Sequence, residues 1–432
     1  MQLYANLLRR NRDLRFIWFA EIISLVGDWF SQLVLLALVV SLSPGREGFA
    51  ISTLILARFV PPLFLSPYAG VLLDRFNRQR LLVWSNYLRG AVGFLYLVAI
   101  ADPALLWLIY LGVILQGILG TVYMPGQSAL VAGVVAQEDL VVANTLSSAT
   151  WSAALAAGGA LAGFVGAAFG SAAALLFDAL TFFVAGLLLS QVKGYVFVKP
   201  APKPAAVPDP ASAPEHDASL GESLRYVRAH RPTLATLFVK FGGSLGNVDA
   251  VMTVLGTQLF VLGAKGQLSL GIMYSAFGVG AILGPLLANI LSDGTGRTLR
   301  RWILIGFIAQ AAGWVILGWA GVLFVVCLGL MLRGMGGSLN WTYSSVLLQR
   351  TTPDHFRGRV FALDMTLFNL ATVFSTIVQG ALIDALGPSN IVIIAIGTAV
   401  LSLFPLIGWA WAQRGWPERS PGLERAQQIA DA

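Results

Sequence analysis

The chain has 432 residues, of which 57% are hydrophobic and only 11% are charged. Soluble globular proteins carry about 25% charged residues, so this composition excludes a cytosolic enzyme and a disordered protein. A net charge of +7 would suggest nucleic acid as the partner of a soluble protein, and the positions of the charges decide whether that applies here.

Twelve segments are long and apolar enough for helices that cross a bilayer, each of which needs about 20 residues. They cover residues 14–41, 50–73, 81–101, 104–129, 144–168, 171–191, 232–262, 267–292, 299–320, 321–349, 359–386 and 389–412. The first follows a polar, basic start without a small-residue cleavage site, which favours a retained helix over a signal peptide. The pattern predicts an all-α membrane protein with twelve transmembrane helices.

The twelve segments fall into two halves of six, residues 1–191 and residues 232–412. Residues 192–231 between them are polar, and we interpret them as a cytoplasmic Pro-rich linker followed by a short amphipathic helix. Residues 413–432 form a cytoplasmic tail.

A shift of 219 residues aligns Asp74 with Asp293 and Arg78 with Arg297. This correspondence indicates pseudo-symmetric halves. In transporters built from repeats, the substrate site lies near the bilayer midplane between the halves.

Basic residues mark one side of the membrane. With the N-terminus inside, the inner segments hold 22 Lys and Arg residues, whereas the outer loops hold only Arg46 and Lys265. The bias predicts a multi-pass protein of a bacterial-type inner membrane with both termini in the cytoplasm. The positive charge therefore reports topology, and we expect the lipid bilayer and not nucleic acid as a partner.

The second segment ends in Gly70-Val-Leu-Leu-Asp74-Arg75-Phe-Asn77-Arg78-Gln79-Arg80. This stretch resembles the loop signature of the major facilitator superfamily, Gly-x-x-x-Asp-Arg-x-Gly-Arg-Arg. Ser24-Leu-Val-Gly27-Asp28-Trp29 and Arg357-Gly358-Arg359-Val360 are similar to the branch with macrolide and enterobactin exporters. The resemblance implies the major facilitator fold and secondary transport by alternating access.

The resemblance also implies a conformational latch formed by Gly70, Asp74, Arg75 and Arg78. In the outward-facing state, the Asp74 carboxylate would dock on the N-terminus of the eleventh helix, whose free N–H groups and partial positive charge favour an anion. The alternative is that these residues only anchor the inner face.

Nine ionisable residues lie inside the predicted spans and away from their ends, where charge is costly and often functional. They are Glu21, Asp28, Asp178, Asp249, Asp364, Arg58, Arg89, Lys240 and Arg333. Glu21 and Asp28 are the candidates for proton coupling. Their depth also suggests two buried ion pairs, Glu21 with Lys240 and Asp28 with Arg58, so a permanently ionised structural role stays open.

Helices one, four, seven and ten each carry a polar stripe, and the resemblance places these helices around the central cavity. The predicted substrate-binding residues are Gln116, Tyr123, Gln127, Lys240, Asn247, Arg333, Asn340 and Trp341. Simple helix packing is the alternative for the aromatic members.

The sequence thus predicts a proton-coupled exporter of amphipathic, drug- or siderophore-like small molecules that functions as a monomer. A lipid or lysolipid flippase of the same fold and a non-transporting receptor or scaffold are the alternatives. We expect no enzyme activity, cofactor or metal site. The motif Gly242-x-Ser244-x-Gly246 lies within a helix without a His partner in any span, and the chain has no phosphate-binding loop.

Overall fold

A computed structural model describes residues 2–136, 139–195, 220–246, 248–293, 295–319 and 321–416. Regular structure in these ranges is helical, and no β-strand occurs within them. The helices are α1 (Gln2–Arg10), α2 (Arg12–Ser41), α3 (Glu47–Arg75), α4 (Arg78–Ala101), α5 (Trp107–Gly120), α6 (Tyr123–Val134), α7 (Leu140–Ser190), α8 (Leu220–Ala229), α9 (Arg231–Ser244), α10 (Val248–Val254), α11 (Gln267–Leu291), α12 (Gly296–Gly318), α13 (Leu323–Thr351), α14 (Asp354–Leu386) and α15 (Ile391–Ala412).

Ten helical segments of the described residues are long and apolar enough to cross a membrane. One of them, Thr145–Ser190, has 46 residues and turns at Gly170, whose φ of +84° lies in the left-handed region that glycine adopts without strain. It therefore supplies the fifth and sixth predicted spans. The seventh predicted span is not one continuous α-helix. It consists of α9, which ends at Ser244, and α10, which begins at Val248 and continues into a π-helical turn, Leu255–Leu259. The all-helical, multi-span fold class predicted from the sequence is confirmed.

The chain forms two compact units that do not coincide with the two halves of the sequence. The first contains residues 1–205 together with residues 249–278 and 379–389. The second contains residues 206–248, 279–378 and 390–432. Two short segments from the second half of the sequence thus pack with the first half.

Close helix packing builds the first unit. α2 lies against α7, and α4 lies against the later part of α7. A Cβ on Gly93 of α4 would come within 2.9 Å of the Ala179 side chain, so glycine is needed for this approach. At the N-terminal end, Leu14, Ile17 and Leu189 belong to a buried apolar cluster.

The second unit is organised around α12, α13, α15 and α9. Trp314 is its largest fully buried side chain. The amphipathic helix predicted at the end of the linker is α8, and its Val227 packs with Leu237, Leu348 and Val360. The Pro-rich part of the linker, residues 196–219, and the tail beyond residue 416 lie outside the described residues.

Candidate functional site: charged groups within the spans

Asp28 of α2 lies at the centre of a charged cluster in the first unit. Its Oδ1 accepts a hydrogen bond from Arg89 Nη2 of α4 at 2.7 Å, and Arg58 Nη2 of α3 lies 3.8 Å from the same oxygen. The second terminal nitrogen of Arg58 donates to Gln32 Oε1 at 2.7 Å. The structure thus brings Asp28 near Arg58, as the sequence suggested, but its closer cation is Arg89, which the sequence left without a partner.

The side chains of this cluster differ in how far they are exposed. The Arg89 side chain is 9% exposed, whereas those of Asp28 and Arg58 are 23% and 39% exposed. The Arg89 guanidinium also covers the face of the Phe182 ring, 4.1 Å from its centroid, a cation–π contact. Arg89 is therefore the enclosed end of the cluster, and Asp28 joins it to the open end.

Asp178 of α7 lies beside the cluster and is completely buried. Neither of its carboxyl oxygens has a hydrogen-bond partner among the described residues. A Cβ on Gly27, next to Asp28, would lie 3.1 Å from Asp178 Oδ1, so the carboxyl group packs directly against α2. The sequence marked Asp178 as an intramembrane acid without a role.

Glu21 is buried about two helical turns before Asp28 on α2, and its hydrogen-bond partner is neutral. The Ser147 hydroxyl of α7 donates to its Oε2 at 3.0 Å. Two cavity candidates from the sequence lie close by: the Tyr123 hydroxyl is 3.2 Å from Ser24 Oγ, and Gln127 is buried beside Glu21. The third, Gln116, donates to the Arg89 carbonyl at 3.3 Å.

Lys240 of α9 has a partner different from the one the sequence suggested. Its ammonium pairs with Asp364 of α14, and the two side chains are 1% and 0% exposed. The Lys240 Nζ also lies 4.4 Å from the centroid of the Trp341 ring. The suggested pair of Lys240 with Glu21 is therefore not the one found. The position of a residue along its span indicates its depth in the membrane, but it does not show which helices face each other.

Arg333 of α13 is bound to the interruption of the seventh span. Its Nη2 donates to the carbonyls of Gly243 and Gly246 at 2.8 and 2.6 Å. These carbonyls lie where α9 ends, and a backbone oxygen freed from a helix within a membrane needs such a donor. Arg333 therefore has a structural role at the end of α9, and its role in the cavity stays a prediction.

Three further cavity candidates come from the second half of the sequence. Asn340 is buried, and its amide group has no hydrogen-bond partner within the described part of the chain. Asn247 lies outside the described residues. The exposed Trp341 packs edge-to-face on Phe368, with ring centroids 5.1 Å apart.

The latch residues lie at the end of α3 and the start of α4. Gly70 and Arg75 are exposed, and the Arg78 guanidinium donates to the Leu73 carbonyl at 3.3 Å. Asn77 begins α4 by accepting a hydrogen bond from the Arg80 amide at 3.1 Å, so the loop forms with Asn in place of the family's Gly. The side chain of Asp74 lies outside the described residues, and the latch stays a prediction.

The position related to Asp74 by the internal repeat is described. Asp293 precedes α12 and accepts hydrogen bonds from the Thr295 amide at 3.0 Å and hydroxyl at 2.9 Å. The hydrogen bond with the Thr298 hydroxyl contributes most to lowering the pKa of Asp293, and the two bonds from Thr295 lower it further. The exposed Asp293 carboxylate thus organises the start of α12.

One contact was not foreseen from the sequence. Asp384, near the end of α14, accepts hydrogen bonds from the Gly48 and Phe49 amides at 2.7 and 2.8 Å. These amides belong to the first turn of α3, where backbone N–H groups lack partners within the helix. A Cβ on Gly48 would overlap the backbone of Gly380, which explains the two glycines at this approach.

Two more contacts join the same parts of the first unit. The Tyr274 hydroxyl of α11 donates to Asp249 Oδ1 at 2.8 Å, and its ring packs on Trp29 of α2 with centroids 5.2 Å apart. A Cβ on Gly163 of α7 would lie 2.7 Å from Gly271 Cα of α11. Gly163 belongs to the small-residue motif Gly159-x-x-x-Gly163, which allows close helix contact, and α11 is the helix that makes this contact.

Comparison with known proteins identifies the family. Residues 5–416 match the family described as transmembrane secretion effector. The chain belongs to this family of the major facilitator superfamily. The superfamily resemblance of the loop Gly70–Arg80 is thereby confirmed, and the protein is a transporter of that superfamily.

Individual relatives agree with the assignment. An uncharacterized MFS-type transporter of Mycobacterium tuberculosis is 27% identical over 426 residues, covering 92% of this chain and 90% of the relative. Macrolide efflux protein A of Streptococcus pyogenes is 21% identical over 399 residues, covering 90% and 93%. The crystal structure of the POT family transporter PepTSo has the same fold, with a TM-score of 0.71 at 14% identity over 94% of this chain and 98% of that one.

Proposed function

We propose that this transporter is a proton-coupled exporter of amphipathic small molecules that works by alternating access. The family description and the macrolide efflux relative support export, and the major facilitator fold supports secondary transport. The observation that carries proton coupling is the cluster around Asp28, in which one partly exposed carboxylate faces two cations within the membrane.

This cluster gives a carboxylate whose proton affinity depends on its surroundings. In this conformation Arg89 and Arg58 both lie close to the Asp28 carboxylate as counter-ions. Loss of water around the carboxylate, or movement of a cation away from it, favours the protonated form. A transport cycle that changes hydration and helix position would therefore bind and release a proton at this site, and Glu21, held by the neutral Ser147, offers a second candidate.

The contacts of Asp384, Tyr274 and Gly163 support alternating access. In the orientation that the basic residues predict, all three lie toward the outer side of the membrane. They join α3, α2 and α7 of the first half to segments from the second half. We infer that they hold the outer side closed in this conformation and separate when it opens, whereas the Asp74 latch closes the inner side.

Two observations support the proposed substrate class: the macrolide efflux relative and the aromatic side chains near Lys240. Trp341 and Phe368 offer an apolar, adaptable surface next to the buried ion pair. Amphipathic molecules bind such surfaces through apolar contact, with few directional bonds.

The test uses proteoliposomes containing the full chain and erythromycin as the macrolide probe. A proton gradient should drive accumulation of the probe, and Asp28→Asn or Glu21→Gln should abolish the dependence on the gradient. The exposed loop residue Asp102 provides the matched control, since Asp102→Asn should retain full coupling. Full coupling in both membrane variants would overturn the assignment of the proton sites, and movement of fluorescent lysolipid without any movement of erythromycin would favour a flippase.

A further inference from the structure

We propose that Asp178 is a proton-binding site of this transporter, and that Arg89 controls it by pairing alternately with Asp28 and Asp178. The role in transport rests on the function proposed above. The protonation itself rests on the geometry around Asp178, which neither the sequence nor the comparisons assign to any task.

The first step concerns the surroundings of Asp178. Its side chain is 0% exposed, and no hydrogen bond within the described residues reaches either carboxyl oxygen. The neighbouring Ser31 hydroxyl donates instead to the carbonyl of Asp28 at 3.2 Å. A buried carboxylate without hydrogen-bond donors is far more costly when ionised than as the neutral acid, so Asp178 carries a proton in this conformation.

The second step concerns the unused donor beside it. Arg89 commits Nη2 to Asp28, whereas its Nε–H has no partner among the residues with described side chains. Its guanidinium covers the Phe182 ring, and Phe182 lies one helical turn beyond Asp178 on the same face of α7. Asp178 and Arg89 therefore lie side by side, each with unsatisfied hydrogen-bonding capacity.

The third step concerns the charge balance of the cluster. The titratable and charged groups that face Asp178 are Asp28, Arg89, Arg58 and Tyr96. With Asp178 neutral, the cluster has two cations for one carboxylate; with Asp178 ionised, charges of both signs are equal. An arginine moving from Asp28 to Asp178 would release the proton of Asp178 to water and leave Asp28 free to take a proton or a cationic substrate.

This exchange links proton release to helix movement. Asp28 is on α2, Arg89 on α4 and Asp178 on α7, so a small shift among these three helices decides which carboxylate the guanidinium reaches. The reaction is a simple dissociation, Asp178–COOH to Asp178–COO⁻ and H⁺, and it needs no other reactant.

The test is infrared spectroscopy of the full chain in proteoliposomes at neutral pH, which detects the C=O stretching band of a protonated carboxylic acid. The wild type should show the band, Asp178→Asn should lose it, and the exposed control Asp102→Asn should retain it. Asp28→Asn should also lose the band, because Arg89 then pairs with Asp178 and stabilises its ionised form, so that the proton is released to water. This second variant leaves the buried carboxyl group in place, so the proposal does not depend on the folding of Asp178→Asn.

An unchanged band in Asp178→Asn would overturn the proton site, and an unchanged band in Asp28→Asn would overturn the exchange by Arg89. The readout needs no substrate. If the bands behave as expected while a pH gradient fails to move erythromycin, the proposed transport function is wrong and the proton site stands.

Discussion

The Asp384 carboxylate accepts hydrogen bonds from the Gly48 amide at 2.7 Å and from the Phe49 amide at 2.8 Å. It therefore caps the first turn of α3, although Gly48 lies 336 residues before it in the sequence. Two hydrogen bonds from helix N–H groups to a carboxylate are charge-assisted and are further favoured by the helix dipole. The predicted inner latch has the reciprocal arrangement, in which Asp74 at the end of α3 docks on the start of α14. α3 and α14 would thus exchange caps as the transporter changes conformation.

Asp384→Asn should weaken closure of this contact, because the amide replaces the charged acceptor of one N–H group. A hydrogen bond to a charged group contributes about 1.5–3 kcal/mol, which corresponds to at least about tenfold in the open population. In a Cys327→Ser background, a cysteine at the buried Ser52 should react about tenfold faster with an impermeant maleimide from outside. A cysteine at the exposed Arg46 is the control and should react equally in both forms; equal rates at residue 52 would contradict the outer latch.

Asp74→Asn should abolish transport of erythromycin while leaving the amount of protein in the membrane unchanged. The neutral amide interacts more weakly with the N–H groups and partial charge of the eleventh helix. Asp293→Asn, at the equivalent position of the second half, should leave transport largely intact, because Asp293 bonds to its own loop through Thr295. Wild-type transport by the Asp74 variant would exclude the latch.

The buried pair of Lys240 and Asp364 should behave as a unit. Lys240→Met or Asp364→Leu alone leaves one charge without its counter-ion and should destabilise the protein by about 3–5 kcal/mol. The double variant should recover most of that loss, because an apolar pair avoids the desolvation of two charges. Thermal unfolding of the purified variants in detergent measures the difference, and additive losses in the double variant would show that the ion pair has no coupled role.

Gly163→Val should block the approach of α7 to α11. A Cβ there would lie 2.7 Å from both Gly271 Cα and the Gln267 carbonyl oxygen, closer than atoms can pack. We expect transport to be lost. In the Cys327→Ser background with a cysteine at Ser52, Gly163→Val should also make that cysteine react rapidly with the maleimide from outside. Gly397→Val in α15 is the matched control, since open space surrounds that position, and equal transport by the two variants would contradict the prediction.

Composition and hydropathy determined the all-helical, membrane-spanning fold class, because transfer into a bilayer depends on local sequence. The superfamily resemblance came from the loop signature Gly70–Arg80, which is also a local feature. The same reasoning marked Asp28, Lys240, Asp178 and Arg333 as candidates, since each is an ionisable group inside a predicted span. The spacing of Gly159 and Gly163 is typical of close helix contact, but it does not identify α11 as the partner.

Only the tertiary structure decided how these groups combine. Arg89 and not Arg58 is the closer cation of Asp28, and Asp364 rather than Glu21 neutralises Lys240. Asp384 lies two residues from the end of a predicted span, and nothing in the sequence indicated its partners, because they are backbone amides that every non-proline residue carries. Pairing depends on which helix faces meet over separations of up to 336 residues, and a pattern read along one helix contains no information about the rotation of its neighbours.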